Sequence, residues 1–278
     1  MTPEQMLEVW RRACLIHHFE LAVCRAADAG HIKCPIYSSL GQEFIPATVS
    51  LLCDGMPLFA QHRCHGWFLA WGGDMGQLID ELLGRETGCA HGMGGSASIH
   101  IPGKMFAHDG LMGSQAPIAA GYALATGKPV VCVLGDGSSE EDYVLSTIGW
   151  IATKKLPVLI IVENNDLSIL THVAERRSWR IRDVASGMGI KSGNTEDSPP
   201  WISSVHDMIA KPLPALLEIE CCRWRWHCGT GTDREPEWDR RKMFATELVK
   251  RSVGTDAAII NDECLKLVED AWAKALPK

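Results

Sequence analysis

Two apolar runs, each closed by a short polar tripeptide, constrain this chain more than anything else in it. Val130-Val131-Cys132-Val133-Leu134 leads into Gly135-Asp136-Gly137, and Pro157-Val158-Leu159-Ile160-Ile161-Val162 leads into Glu163-Asn164-Asn165, with 29 residues from Asp136 to Asn165. Continuously apolar, β-branched runs belong to strands covered on both faces, the setting of a parallel sheet. Between them, from about Glu140 to Lys154, Tyr143, Val144, Ile148 and Ile151 recur at helical spacing. The pattern predicts a right-handed strand-helix-strand unit. Asp136 and Asn165 then emerge at the carboxyl ends of neighbouring strands, where open α/β sheets bind ligands.

A carboxylate and a carboxamide converging there suit a small hard cation that takes oxygen ligands and shares phosphate oxygens, namely Mg²⁺. The backbone carbonyl of Leu167 is the natural third protein ligand, with diphosphate oxygens and one water bringing the count to about six. Gly135 and Gly137 let the backbone turn sharply and approach phosphates closely. A Gly-Asp-Gly in isolation reads as a turn. Spacing and strand context carry the metal reading.

The rest of the chain supports one large α/β domain over residues 1–278, with an N-terminal helix and a C-terminal helical extension. Thr2 and Gln5 form a capping box, Pro3 suits a first turn, and apolar residues recur at helical spacing from Met6 to Val23, stopping before Gly30. Helices are expected at Glu43 to Cys53, from the N-cap Asp74 to Gly84, and at Ala116 to Thr126, with the glycine-rich stretch Gly88 to Gly95 a loop. Further strands are expected near Val184 to Ile190 and at Ala215 to Ile219, the latter after a helix from about Trp201 to Ala210, and two polar helices close the chain. With 278 residues, 46% of them hydrophobic, the chain can bury a substantial core. A formal charge of −7 and the lack of any Lys/Arg run argue against nucleic acid or an anionic membrane as partner. No apolar run reaches bilayer length and Met1-Thr2-Pro3-Glu4 opens a helix, so a soluble, cytoplasmic protein is expected. The eleven cysteines contain no Cys-x-x-Cys; Cys14, Cys53, Cys132 and Cys264 fall in apolar patterns and read as small buried hydrophobes.

Gly41-Gln42-Glu43, His62-Arg63-Cys64-His65-Gly66, Gly88-Cys89-Ala90-His91-Gly92-Met93-Gly94-Gly95-Ser96 and Gly110-Leu111-Met112-Gly113-Ser114-Gln115-Ala116-Pro117 precede the two strands; Leu216-Leu217-Glu218 through Arg223 to His227 follows them. In order and spacing these segments, with the Asp136 and Asn165 motif, resemble the α subunits of two-subunit thiamine-diphosphate-dependent 2-oxo acid dehydrogenase E1 components, of pyruvate, branched-chain 2-oxo acid or acetoin dehydrogenase type. The resemblance implies a thiamine-diphosphate-binding fold, a mostly parallel sheet with helices on both faces. It implies thiamine diphosphate and Mg²⁺ as cofactors, with Asp136, Asn165 and the Leu167 carbonyl on the metal. Tyr37, His62, Arg63, Gly110, Met112, Asp136, Gly137, Ser138, Asn165, Ile169 and His227 fall at cofactor-contacting positions. Arg63 suits a diphosphate oxygen, because a guanidinium fork matches phosphate geometry; Ile169 is either an apolar wedge under the bent cofactor or an ordinary buried aliphatic. His65 and His227 are the imidazoles expected near the reacting centre, where a group titrating near neutrality can move protons. The carboxylate that pairs with the cofactor's pyrimidine lies in the family's other subunit, so a separately encoded β subunit in an α₂β₂ assembly is the implied partner, with a lipoyl acyltransferase as a further candidate, acting on a small-molecule substrate.

Four departures bear on the substrate. Tyr37 stands where the family usually carries a histidine, and His62 replaces a tyrosine. Ser138-Ser139-Glu140-Glu141-Asp142 replaces a largely uncharged run, with its acids at a helix N-terminus where the dipole favours them. Gly229-Thr230-Gly231-Thr232-Asp233-Arg234-Glu235-Pro236 is short and lacks a Ser-x-Tyr-Arg motif. The leading expectation is an E1 α subunit that decarboxylates or cleaves a 2-oxo acid or acyloin and passes on the acyl unit. A two-subunit transketolase-like or carboligase enzyme is the alternative, favoured by the short final segment and Glu140-Glu141. A noncatalytic dinucleotide-binding or scaffold protein is disfavoured, since Gly92-Met93-Gly94-Gly95 does not sit between a strand and a helix.

Overall fold

A computed structural model describes residues 1–107, 110–197, 205–208, 212–233 and 239–276. In chain order its elements are α1 (Pro3–Asp28), α2 (Phe44–Leu52), β1 (Leu58–Ala60), α3 (His65–Ala70), α4 (Met75–Leu82), β2 (His100–Ile101), β3 (Met105–Ala107), α5 (Gln115–Thr126), β4 (Val130–Gly135) and α6 (Asp142–Lys154). There follow β5 (Val158–Asn164), β6 (Leu167–Ser168), β7 (Thr171–His172), α7 (Val173–Arg176), α8 (Ile181–Gly187), β8 (Lys191–Glu196), β9 (Ala215–Glu220), α9 (Arg240–Lys250) and α10 (Gly254–Ala275). They pack as two compact units, Met1–Leu51 with Arg63–Ile101 and Arg223–Lys278, and Leu52–His62 with Pro102–Cys222. No helix among the described residues is long and apolar enough to cross a membrane.

The first unit is helical. α1 begins at the expected capping box: the Thr2 hydroxyl accepts the Gln5 N–H at 3.3 Å, and the Gln5 side chain accepts the Thr2 N–H at 3.0 Å. Val9, Ala13, Ile16, Phe19 and Val23 give α1 its apolar face. The closing helices pack back on it, the indole N–H of Trp10 donating to the Ala257 carbonyl at 2.8 Å and its ring stacking on Phe244. Asp74 caps α4 by accepting the Gln77 N–H at 2.8 Å, and the chain leaves that helix through Gly84 at φ +72°.

The second unit holds six parallel strands in the order β3-β1-β4-β5-β9-β8. β4 and β5 are the two apolar runs, adjacent as predicted, and α6 supplies the crossover. One face of these strands (Val130, Cys132, Leu134, Val158, Ile160, Val162) packs against Ala116, Ala119, Ala120 and Ala123 of α5 and Val144, Ile148 and Ile151 of α6. The alternate residues Val131, Val133, Leu159 and Ile161 are buried as well, so both faces are covered. The α/β expectation with a mostly parallel sheet holds.

One element differs from expectation. Val184–Ile190 is not a strand: α8 occupies Ile181–Gly187 and the strand is β8, from Lys191 to Glu196. Ile181, Val184 and Ala185 are spaced for a helix, whereas β8 reads Lys-Ser-Gly-Asn-Thr-Glu, a partly exposed edge strand with no apolar signature. Of the expected helix from Trp201 to Ala210 only 205–208 is described, and it is helical; the remainder lies outside the described residues.

Candidate active site

In the second unit, β4 and β5 pair with Gly135 opposite Glu163, so Asp136 lies one residue and Asn165 two residues past the end of the matched register. With strands about 4.8 Å apart and a rise of about 3.3 Å per residue, their backbones are about 6 Å apart at the carboxyl edge. The backbone of this turn is fully committed. The Asp136 N–H donates to the Glu163 carbonyl at 3.2 Å, its own carbonyl accepts from the Ser139 hydroxyl at 2.7 Å, and the Ser138 hydroxyl closes on Gly135 through both its N–H and its carbonyl. A Cβ on Gly137 would stand 2.5 Å from the Ser168 hydroxyl and 2.8 Å from the Ser168 Cβ, so β6 approaches that position closely, while one on Gly135 would meet the end of the Gln61 side chain at 2.8 Å.

The Asp136 side chain is 2% exposed and its Oδ2 accepts from the Arg176 guanidinium at 2.5 Å. Burial pushes its pKa up and the adjacent Arg176 charge opposes that rise. Arg176 also donates to both oxygens of Glu140, at 3.1 and 3.3 Å, and to the Thr171 carbonyl. Asn165 is buried, its amide oxygen accepting the Leu167 N–H at 3.2 Å. Leu167 opens the β6–β7 hairpin. In that hairpin Ile169 is 57% exposed at φ +54°, a left-handed conformation that is a genuine outlier for a β-branched side chain. The alternative of an ordinary buried aliphatic there is overturned.

Gly110 is exposed, and the Met112 carbonyl two residues on accepts the Tyr143 hydroxyl. Gly113, at φ +89°, brings this loop so close to α6 that a Cβ would meet Val144 at 2.6 Å and the Ser138 carbonyl at 3.0 Å. Gln115, fully buried, ties α5 to β4 by donating to the Val133 carbonyl at 2.7 Å. His62 is buried in the same unit.

In the first unit, Arg63 is buried and donates to the carbonyls of Ser38, at 2.5 Å, and His227, at 3.2 Å. The rings of Tyr37 and His227 meet edge to face at 5.4 Å. The structure thus brings Tyr37, Arg63 and His227 into one cluster. Burial, then the nearby Arg63 and Arg223 charges, push His227 down to about 4, so at neutral pH its imidazole is uncharged.

His65 does not join them in the way the sequence implied. It is fully buried, with Nδ1 3.2 Å from a Glu20 carboxylate oxygen and Nε2 2.8 Å from the Ser96 hydroxyl, which also accepts the Tyr37 backbone N–H at 2.9 Å. Both ring nitrogens are hydrogen-bonded within the core, and Ser96 links His65 to the Tyr37 backbone. Burial raises the cost of charge on Glu20, but His65 and the Ser39 N–H overcome it and hold its pKa low.

Glu81 is a further group that sequence reasoning missed. Its buried carboxylate accepts four backbone N–H groups of the glycine-rich loop, from Ala90, Gly92, Gly94 and Gly95, at 2.6, 2.9, 2.8 and 3.0 Å. The signal available was its position on α4 between Leu78 and Leu82, an acid on an apolar face. Glu20, next to Phe19 and one turn from Ile16 and Val23, carries the same signal on α1.

A parallel sheet with a buried carboxylate and carboxamide at the carboxyl edge of two central strands places the candidate site where open α/β sheets bind ligands. The chain belongs to the dehydrogenase E1 component family, whose model matches residues 13–194. It is 28% identical to the pyruvate dehydrogenase E1 component subunit alpha of Rickettsia typhi, over 96% of this chain and 87% of that protein. It is 30% identical to the protein of the same name from Rickettsia felis, over 81% and 74% of the two chains, and 29% identical to that of Zymomonas mobilis, over 81% and 68%.

Proposed function

We propose that this chain is the α subunit of a two-subunit, thiamine-diphosphate- and Mg²⁺-dependent enzyme that cleaves a 2-oxo acid or acyloin next to its carbonyl and passes on the acyl unit. The observation that carries the reading is the Asp136 carboxylate, buried at the strand edge with a guanidinium standing where a cation is wanted. The donor set fits Mg²⁺: a carboxylate, a carboxamide and a nearby carbonyl, all oxygen. The absence of side chains at Gly135 and Gly137 suits close approach by a diphosphate.

In the second unit, Asp136, Asn165 and the Leu167 carbonyl would hold the metal, and His62, Gly110, Met112, Gly137, Ser138 and Ile169 would contact the cofactor; in the first unit, Tyr37, Arg63 and His227 are the positions at which the resemblance implies cofactor contact. Bound thiamine diphosphate would supply the carbon nucleophile. Arg63, pinned by two carbonyls, offers its guanidinium in a fixed orientation. Ile169, held in a strained backbone, presents an apolar surface. The neutral His227 can accept a proton at its unprotonated ring nitrogen, while Tyr37 packs against that ring and limits its hydration. His65 keeps Tyr37 in place through Ser96.

A separately encoded β subunit, in an α₂β₂ assembly, completes the enzyme in this reading. Exposed apolar side chains in the second unit, Ile118 and Leu124 on α5 and Trp150 on α6, fit a surface that meets a partner. The test is co-production with the β subunit. Reduction of an artificial electron acceptor by a panel of 2-oxo acids and acyloins supports the dehydrogenase reading, and turnover by the chain alone refutes the two-subunit one.

A specific observation favours the transketolase-like alternative. Residues 229–233 fold back as a tight hairpin, with the Trp226 N–H donating to the Gly231 carbonyl at 2.9 Å and the Asp233 N–H to the Trp224 carbonyl at 3.0 Å. Residues 229–233, so tied down, offer little to receive a lipoyl arm; residues 234–238 lie outside those described. Silence of the acceptor panel, with a new carbon-carbon bond formed from a ketose donor and an aldehyde, would select this alternative.

A further inference from the structure

Among the acids of the Ser138–Asp142 run, Glu140 has a partner that the helix dipole does not explain. It faces two arginines: the Arg176 Nε donates to both its oxygens, and the Arg177 Nε lies 3.5 Å from Oε1. Arg177 is itself fixed, donating to the Ser139 hydroxyl at 3.0 Å, lying 3.6 Å from Glu218 and stacking its guanidinium 4.8 Å from the Trp179 ring. Arg176 is shared between two carboxylates. It closes a helix of four residues, α7, reached from the β6–β7 hairpin, and it bridges Glu140 on one side and Asp136 on the other.

A guanidinium and a divalent cation cannot both neutralise one carboxylate oxygen without strong mutual repulsion. Arg176 therefore competes with a metal for the Asp136 Oδ2, and its charge a few ångström away also opposes a cation on Oδ1. When it leaves, its Nε still has Glu140 and its Nη1 the Thr171 carbonyl, so its charge stays paired. We propose that Arg176 is a built-in counter-cation that occupies the metal position on Asp136 in the cofactor-free protein, and that Glu140, which already holds it, is the anchor that retains it when the metal binds. The inference rests on the reading of Asp136 as a metal ligand. It gives the acidic departure at Glu140 a purpose particular to this chain: it sets how readily the site loads.

The test is titration of the full chain with Mn²⁺ alone, free metal being read by its paramagnetic resonance signal, without thiamine diphosphate or turnover. Arg176→Met and Arg176→Gln should each bind Mn²⁺ about tenfold more tightly than the parent, the scale of one charged hydrogen bond. Glu140→Gln should weaken binding about threefold or more, because displaced Arg176 loses its partner, and the same change should have little effect in the Arg176→Met background, since Glu140 acts through Arg176. The Gln variant keeps polar reach without the charge, so it carries the test if the Met variant fails to fold. Equal or weaker Mn²⁺ binding in the folded Arg176 variants overturns the proposal. Asp136→Asn is the control for the reading beneath it: if that variant binds Mn²⁺ like the parent, the metal assignment itself is wrong.

Discussion

Replacing Glu81 by glutamine keeps the side-chain shape and changes only what it can accept. In the parent, Oε1 takes the N–H groups of Gly94 and Gly95 and Oε2 those of Ala90 and Gly92. An amide oxygen can keep one pair, but the amide nitrogen then faces two N–H donors. Two backbone donors lose their acceptor, at about 1–2 kcal/mol each, and the surviving pair loses charge assistance worth about 1 kcal/mol, giving a total of about 3–5 kcal/mol. The loop has little room to relax, since a Cβ on Gly92 would already stand 2.6 Å from the backbone of Gly84 and one on Gly94 2.0 Å from the Ser98 carbonyl. The loss should appear first in hydrogen exchange of residues 88–96, at least about a hundredfold faster at about 1.4 kcal/mol per decade. It should also lower the midpoint of thermal unfolding by roughly 6–15 °C. Ser96 follows this loop and holds Tyr37, so turnover should fall along with loop protection. Exchange accelerated less than about fivefold, corresponding to under about 1 kcal/mol, would refute the claim that this carboxylate organises the loop.

The His227 imidazole should remain neutral down to about pH 4, as read by its ring-proton chemical shifts. Its folded pKa lies below the ordinary 6.5, so the stability it contributes is complete above that value and is lost as pH falls toward 4; a midpoint near 6.5 in the folded protein would contradict its burial beside Arg63. At Ile169, glycine relieves a left-handed backbone that costs an L residue about 1–2 kcal/mol, so Ile169→Gly should leave thermal stability unchanged or raise it slightly, while weakening cofactor binding. Destabilisation by more than about 1 kcal/mol would mean that the exposed side chain is doing structural work.

The parallel core was legible because strands buried on both faces must be continuously apolar, and β4 and β5 are. Asp136 and Asn165 were legible for the same reason, since the strands fix where they emerge. β8 was not, because an edge strand packs little, and the sequence Lys-Ser-Gly-Asn-Thr-Glu carries no periodic signal. The buried acids Glu20 and Glu81 could have been seen as charges on apolar helix faces, but their partners are backbone N–H groups and a histidine distant in sequence, which no local pattern encodes. His65 shows the converse: its place in a motif identified it, but only the packing of α1 against α3 reveals that both its nitrogens point into the core. Arg176 carried no signal at all, being one arginine in a charged stretch, and its significance comes from where a four-residue helix sets it.

If Asp136 ligates the metal through which thiamine diphosphate is held, removing its carboxylate must show in cofactor binding. Calorimetric titration of Mg²⁺ and thiamine diphosphate into the chain assembled with its β subunit, comparing the parent with Asp136→Ala, tests it most directly. The variant should keep its fold, since Asp136 makes its backbone contacts through groups alanine retains, and magnesium-dependent cofactor binding should disappear. Unchanged cofactor affinity in a folded Asp136→Ala protein would contradict it.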